Sequence, residues 1–237
     1  ARDCSVYTVR AVTVVEIMGR DAGWLTAAAG LPRLGGQITA DLIYLPEKPF
    51  DQEKFIAAVR AELDRKPNVV VAVSEGLRDA QGAYVGQSAQ SGAVDTFGHK
   101  YLSGTAKYLE LLVKDRIGCK VRSVELNLPQ RCAGHLLSGA DIAESVAVGR
   151  ASAEAAADGA TGVMGAFVRE STRPYRAHIE FVPVSRVCNK IKYVPDDCFN
   201  ASADNVTDEL LISIAPLVLG RVEIPEKNGL PVHFVIN

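Results

Sequence analysis

The 237-residue sequence lacks the features that would assign it to several large classes of protein. No apolar run approaches the roughly 18 residues of a membrane-spanning helix, and the first ten residues are too polar for a secretory signal. Lys and Arg number 26 against 28 Asp and Glu, so the net charge of −2 gives no general attraction to nucleic acid or to an anionic membrane. We therefore expect neither nucleic acid nor a membrane as a partner.

Cysteine and histidine are too few and too irregularly spaced for a disulfide framework or a metal site. The five cysteines include no C-x-x-C pair, and an odd number of scattered thiols is typical of a reducing cytosol. The four histidines show no metal-ligand spacing. We therefore expect a cytoplasmic protein whose chain builds no metal site of its own.

Strand-like and helix-like segments alternate along the chain. Two β-branched, nearly uncharged runs, AVTVVEI and NVVVAVS, predict strands buried on both faces. Two strand-like segments between residues 162 and 184 are close enough to form a hairpin. Helices are predicted over 23–30, 51–66, 101–117, 139–158 and 206–220, and loops over 77–97 and 128–138. The pattern predicts an α/β fold, a mostly parallel sheet with helices on both faces.

Polar residues follow the predicted strands at positions where apolar packing does not call for them. Residues 18–20 (MGR) follow the first strand and residues 74–76 (SEG) another, while a later strand contains Arg122 and leads to Arg131. Carboxyl ends of parallel strands meet at one sheet edge, where open α/β sheets bind ligands. Arginine suits phosphate oxygens, and a carboxylate accepts hydrogen bonds from sugar hydroxyls. The pattern favours a phosphorylated, polyhydroxylated ligand; the alternative is solvated surface charges and turn glycines.

At VVEIMGRDAGWLT the sequence resembles the phosphofructokinase family. The resemblance continues through VSEG, through DTFGHKYLSGTAKYLELLVKDRIGCKVRSVELNLPQR, and to NKIKYVP, which is similar to the pyrophosphate-using bacterial members. It implies a partial Rossmann-like fold of that family and a transferase of glycolysis that moves a phosphoryl group to the 1-hydroxyl of fructose 6-phosphate. In this interpretation residues 1–170 form the sugar-phosphate-binding α/β domain. Residues 171–237 are strands and a helix that pack on that domain or on a missing N-terminal one.

The resemblance also implies which residues bind the sugar phosphate: Met18, Gly19, Arg20, Glu75, Arg122 and Arg131. Arg20 would in addition be catalytic, because it would stabilise charge on the transferring phosphoryl group. Glu75 would bind sugar hydroxyls, and Arg131 would hold the 6-phosphate. Arg122 would do the same in a neighbouring subunit, which implies a homo-oligomer. Leu128 stands where many members have histidine or tyrosine, so no polar role is assigned to it.

Two motifs of the family do not occur in the sequence: the phosphoryl-donor loop of the G-G-D-D/G-S type, and the T-I-D-N-D block whose first aspartate is the general base. Both lie upstream of MGR in the family. The sequence also has no initiator methionine, and ARDCSVYTVR resembles the end of a helix that begins earlier. We therefore expect a C-terminal portion that is inactive alone.

The identity of the phosphoryl donor stays open at this point. The resemblance of NKIKYVP and ELNLPQR to pyrophosphate-using members favours pyrophosphate as the donor, and ATP is the alternative. Mg²⁺ would be bound with the donor phosphates by ligands mostly outside this chain. A second alternative is a non-catalytic, ligand-binding or regulatory half of such an enzyme.

Overall fold

The computed structural model of the chain describes residues 1–86 and 104–232. The chain divides into two compact units. The first comprises Ala1–Gln130 and Ile191–Leu211, and the second comprises Arg131–Lys190 and Ile212–Asn237. This division differs from the expected boundary at residue 170, which falls inside a strand that pairs with the strand after it. Because paired strands belong together, residues on both sides of position 170 lie in the second unit.

A parallel sheet forms the centre of the first unit. Its strands are β1 (Ala11–Ile17), β2 (Leu42–Tyr44), β3 (Asn68–Ser74) and β4 (Lys120–Glu125), in the order β2-β3-β1-β4. β1 pairs with β3 as far as Ile17 opposite Ser74, and with β4 as far as Glu16 opposite Glu125. The register therefore brings the carboxyl ends of β1 and β3 level with each other, and the predicted parallel arrangement is confirmed.

Helices cover both faces of this sheet, as predicted. The covering helices are α1 (Trp24–Ala27), α2 (Gln52–Arg65) and α3 (Thr105–Ile117), while the short helix α4 (Asn127–Cys132) follows β4 and has no buried residue. On one face, α2 and α3 pack on the valines of β1 and β3 through side chains such as Phe55 and Leu109, both fully buried. On the other face, Gly30 of the 3₁₀ segment after α1 lies against Ile43 and Leu211.

Element boundaries differ from the predicted ones at the helix 23–30 and at the loop 128–138. The predicted helix 23–30 is α-helical only to Ala27 and continues as a 3₁₀ segment, Ala28–Gly35, which contains Pro32. Helix α4 lies largely within the predicted loop 128–138, with Pro129 in its first turn, a position that proline tolerates well. Most of the predicted loop 77–97, together with the first residues of the predicted helix 101–117, lies outside the described residues.

The second unit contains a long helix and two hairpins. Its elements are α5 (Gly139–Ala157), β5 (Val163–Thr172), β6 (Tyr175–Pro183), β7 (Glu226–Lys227) and β8 (Leu230–Pro231), while α6 (Asp208–Ile214) runs from the first unit into the second. β5 and β6 form the predicted antiparallel hairpin. A Cβ atom at Gly165 would lie 2.8 Å from Val148 Cγ2, so β5 packs closely on α5.

Two negative findings concern the described part of the chain. None of its helices is long and apolar enough to cross a membrane. Its five cysteines are all free thiols, either half-buried or exposed.

Candidate functional site

The loop after β1 has a backbone shape that only glycine adopts easily. Gly19 has a φ of +149°, a region that L side chains rarely enter. A Cβ atom there would lie 3.0 Å from the Ala22 carbonyl oxygen. The glycine in MGR therefore lets the chain turn sharply at the sheet edge, and Arg20 follows this turn directly.

Residues at the end of β3 hold this loop through its backbone. The Gly19 amide donates to Glu75 Oε1 at 3.2 Å, and the Ser74 hydroxyl donates to the Gly19 carbonyl. The Gly76 amide in turn donates to Ser74 Oγ at 3.2 Å. Both polar backbone groups of Gly19 are thus satisfied by two consecutive residues, which fixes the loop relative to the sheet.

Gly76 allows the two strand ends to touch backbone to backbone. A Cβ atom at this position would lie 1.6 Å from the carbonyl oxygen of Arg20, a separation that no structure accommodates without moving the backbone. The glycine in SEG is therefore required by close approach to MGR. The sequence motifs at 18–20 and 74–76 form one structural unit at the sheet edge.

Arg20 carries an unused hydrogen-bond donor in this unit. Its Nε atom is buried and has no hydrogen-bond partner among the described residues. Buried polar atoms nearly always have a partner, so such an orphaned donor calls for an explanation. A guanidinium N–H next to a fixed glycine turn is suited to an anionic oxygen supplied by a ligand.

A third contact to the loop comes from α4. The Met18 amide donates to Gln130 Oε1 at 2.9 Å. Met18 follows the last β1 residue that pairs with β3, so its amide depends on this side chain for an acceptor. The polar atoms of Met18 and Gly19 are therefore held from β3 and from the segment after β4.

A buried carboxyl group lies beneath the loop. Glu16 is 5% exposed, and its Oε2 atom accepts a hydrogen bond from the Ala106 amide at 2.7 Å, at the start of α3. Burial raises the pKa of Glu16 to about 7; the carboxylates of Glu125 and Glu75 add to the increase, and the Ala106 amide opposes it. The neighbouring Thr105 hydroxyl donates to the Glu75 carbonyl at 3.2 Å. The start of α3 thus joins the ends of β1 and β3.

A second arginine beside the loop is already paired. Arg78 Nη2 lies 3.0 Å from Asp21 Oδ1, and the Arg78 guanidinium lies 4.0 Å from the centre of the Tyr84 ring. The ion pair with Asp21 compensates the charge of the guanidinium, and the Tyr84 ring covers one of its faces. Arg20 is therefore the better placed of the two arginines to meet a ligand.

The late NKIKYVP segment packs beside the residues that follow the loop. Trp24 Nε1 donates to the Lys192 carbonyl at 2.7 Å. Glu47 Oε1 accepts hydrogen bonds from the Gly23 and Val194 amides, each at 2.9 Å. Residues 191–195 of the segment belong to the same compact unit as MGR and SEG, although about 170 residues separate them from MGR in the sequence.

Arg122 does not lie with the loop of its own chain. It stands opposite Thr13 in the first half of β4, its side chain is exposed, and it lines a cavity together with Cys4 and Tyr7. The sequence pattern placed three arginines in one crevice at the strand ends. This prediction is wrong for Arg122, because a residue inside a strand lies several residues away from the sheet edge.

Arg131 lies in the last turn of α4 and is exposed. It is the first residue of the second compact unit, whereas Met18, Gly19, Arg20 and Glu75 belong to the first. The role that the family resemblance implies for Arg131 stays a prediction.

Three residues of the site carried a weaker signal in the sequence. Ser74 and Gln130 stand next to Glu75 and Arg131, within motifs that were recognised. A polar residue type at these two positions does not by itself predict a hydrogen-bond partner. Glu16 interrupts a β-branched apolar run. An acid inside a strand that is predicted to be buried on both faces is a signal for a special partner, here the first turn of α3.

The fold is that of an open α/β protein, a class in which ligands bind at the carboxyl ends of parallel strands. Residues 3–148 match the family described as Phosphofructokinase. The chain belongs to the phosphofructokinase family.

Relatives with assigned names agree with this membership. The pyrophosphate–fructose 6-phosphate 1-phosphotransferase of Xanthomonas campestris pv. campestris is 38% identical over 221 residues, which are 93% of this chain and 52% of that protein. The ATP-dependent 6-phosphofructokinase 2 of Streptomyces coelicolor is 32% identical over 187 residues, 78% of this chain and 50% of that protein. The chain spans about half the length of the curated relatives it matches.

A solved structure shows the same architecture. The pyrophosphate-dependent phosphofructokinase of Marinobacter aquaeolei superposes with a TM-score of 0.79 at 30% identity, covering 97% of this chain and 53% of that one. The predicted fold of the phosphofructokinase family is therefore confirmed.

Proposed function

We propose that this chain is the sugar-phosphate-binding part of a 6-phosphofructokinase that transfers a phosphoryl group from pyrophosphate to the 1-hydroxyl of fructose 6-phosphate. The observation that carries the proposal is the orphaned Nε of Arg20 on a glycine turn held by Glu75. A guanidinium N–H without an acceptor among residues 1–86 and 104–232, and a carboxylate that holds the neighbouring Gly19 amide, suit a phosphorylated sugar. Membership of a family of phosphotransferases supports the reaction class.

In this proposal the residues at the site have two roles, binding of the sugar phosphate and stabilisation of charge on the transferring phosphoryl group. Met18 and Gly19 contact the sugar phosphate, and Arg20 neutralises charge on the phosphoryl group in transfer. Glu75 uses Oε1 to hold the Gly19 amide, so its other oxygen is the one that accepts from sugar hydroxyls. Arg131 holds the 6-phosphate.

Pyrophosphate is the proposed donor because the more similar relatives carry its name. ATP is the second candidate, which the Streptomyces relative supports. The third candidate is a non-catalytic, ligand-binding or regulatory half of such an enzyme.

Mg²⁺ does not fit a site made by the described residues. Within 1–86 and 104–232, no group of three or more His, Cys, Asp or Glu side chains is arranged to hold a metal ion. In the proposed enzyme the ion belongs with the donor phosphates. Arg122, remote from its own loop, is proposed to serve the site of a second subunit in a homo-oligomer.

Calorimetric binding of fructose 6-phosphate to the 237-residue chain tests the proposal. The wild-type chain is expected to bind, and Arg131→Ala to weaken binding by about 2–3 kcal/mol, the scale of a charge-assisted phosphate contact. Arg150→Ala removes an exposed arginine of α5 and is the matched control. Absence of wild-type binding, or equal losses in both variants, would contradict the proposal.

Turnover distinguishes catalysis from binding alone. The chain by itself is expected to show no phosphotransfer with pyrophosphate or with ATP. In an active polypeptide that carries this chain together with a donor loop and a base, Arg20→Ala should lower kcat by roughly 10²-fold. Arg20→Lys should restore only part of the rate, because an ammonium lacks the planar fork of a guanidinium. A change confined to KM would reduce Arg20 to a binding residue.

A further inference from the structure

Gln130 makes one contact that no assigned role explains. Its side-chain oxygen accepts from the Met18 amide at 2.9 Å, across 112 residues of sequence. Gln130 lies in α4, is half-buried, and directly precedes Arg131. The contact therefore links the loop after β1 to the helix that begins two residues after β4.

The position of this contact matters because regular pairing stops there. The last β1 residue in register with β3 is Ile17, whose carbonyl still accepts from the Glu75 amide at 3.1 Å. The next two amides leave the ladder: that of Met18 goes to Gln130, and that of Gly19 goes to Glu75. Gln130 is thus the acceptor for the backbone amide of Met18, the first residue beyond the strand.

The chemistry of an amide also suits the place. Glutamine supplies an acceptor oxygen without a negative charge. Glu16 and Glu75 already bring two carboxyl groups to this edge, and a further carboxylate would oppose the approach of an anionic ligand. A neutral acceptor therefore holds the backbone at the smallest electrostatic cost to phosphate binding.

We propose that Gln130 is a positioning residue: it fixes the Met18 amide so that the loop presents Arg20 to the phosphorylated sugar. This inference rests on the proposed function. Gln130 acts through the loop backbone and has no contact of its own with the reacting atoms.

Two variants separate positioning from a general structural role. Gln130→Met keeps the length of the side chain but removes the acceptor, and Gln130→Glu keeps the acceptor but adds a charge. Fructose 6-phosphate affinity is measured by calorimetry between pH 5 and pH 8, and exchange of the Met18 amide by NMR. Gln52→Met, which removes an amide that bonds Tyr108 in a different part of the first unit, is the matched control.

Gln130→Met should bind fructose 6-phosphate about tenfold more weakly, the scale of one lost hydrogen bond, and its Met18 amide should exchange faster. Gln130→Glu should keep the amide protected. At pH 8, where the introduced carboxyl group is ionised, this variant should bind fructose 6-phosphate more weakly than the wild type. As the pH is lowered and the carboxyl group is protonated, its affinity should approach the wild-type affinity measured at the same pH. Gln52→Met should match the wild type.

The outcomes distinguish this inference from the proposed function. Unchanged affinity in Gln130→Met despite faster Met18 exchange would overturn the positioning role. Unchanged exchange would overturn the contact itself. If the wild-type chain does not bind fructose 6-phosphate, the proposed function fails, and the positioning role falls with its ligand even where the exchange data confirm the contact.

Discussion

The first compact unit and the hairpin of the second unit differ in how their apolar side chains are used. In the first unit, Phe55 on α2 is completely buried against the valines of the parallel sheet. On the hairpin, Phe167 of β5 and Phe181 of β6 remain 41% and 42% exposed. The site loop is therefore anchored to a close-packed interior, whereas the hairpin is held mainly by its own strand pairing and by α5. We expect substitutions to be costly in the first region and tolerated in the second.

The largest contrast should appear between two phenylalanines. Phe55→Ala is expected to lower the free energy of unfolding by about 3–5 kcal/mol, because it leaves a cavity in the interior. Phe167→Ala removes a ring that is already partly in water and should cost less than half as much. Urea unfolding of both variants measures the difference, and equal losses would mean that the hairpin is as tightly packed as the sheet.

Two glycines give the second contrast. Gly76→Ala is expected to destabilise by about 3 kcal/mol, because the new methyl group meets the Arg20 carbonyl and moves the strand ends apart. Gly149 lies in α5 with nothing near its would-be Cβ, so Gly149→Ala should stabilise by roughly 0.5–1 kcal/mol. Thermal and urea unfolding test both signs. A neutral Gly76→Ala would mean that the two motifs are not in backbone contact.

The third effect is a pH dependence that arises from Glu16 in the first unit. Because the pKa of Glu16 is raised from 4.5 to about 7, the folded chain keeps a proton there that the unfolded chain has lost. The contribution of this group to stability is present below pH 4.5 and is lost as the pH rises through 7. The free energy of unfolding should fall by about 2 kcal/mol from this group between pH 5 and pH 7.

Glu16→Gln isolates that contribution. Glutamine retains an oxygen for the Ala106 amide but does not titrate, so the difference between variant and wild type should change across pH 5 to 7. Asp64→Asn, at an exposed surface pair with Arg10, is the control for charge removal. A pH-independent difference for Glu16→Gln would show that its carboxyl group titrates normally.

The smallest effect is expected on the hairpin. Hydrogen bonds to Glu180 and Glu170 raise the pKa of His178, so its contribution to stability is present below the usual histidine pKa and is lost as the pH rises through the raised value. The imidazole is exposed, and surface pairs contribute little. His178→Gln should leave the unfolding midpoint at pH 5.5 and at pH 9 within experimental scatter. A clear loss at pH 5.5 alone would identify a stronger local network than the exposure suggests.

The sequence predicted the buried strands and the hairpin better than the short elements that follow the strands. Runs such as NVVVAVS specify buried strands by composition alone, and β3 is buried at every position. The hairpin followed from two strands separated by a short turn. The α4 helix was missed because six residues with a proline give no periodicity to detect.

The site could be predicted only in part, for a physical reason. Motif residues such as Gly19, Arg20 and Glu75 are recognisable because their types are unusual at strand ends. Register is not visible in a sequence, so the position of Arg122 relative to the sheet edge could not be known. Partners that are distant in sequence, such as Gln130 and the Met18 amide, become visible only when the chain is folded.

The contact between Gly76 and residue 20 also determines which of the two positions can be substituted during evolution. The three atoms nearest to a Cβ at position 76 are the carbonyl oxygen, the carbonyl carbon and the Cα of Arg20, all of them backbone atoms. Position 76 is therefore closed to every larger residue, while this backbone contact makes no demand on the side chain at position 20. A descendant of this sequence can therefore change residue 20 by a substitution in one codon and keep the backbone contact, provided that the codon for Gly76 is retained.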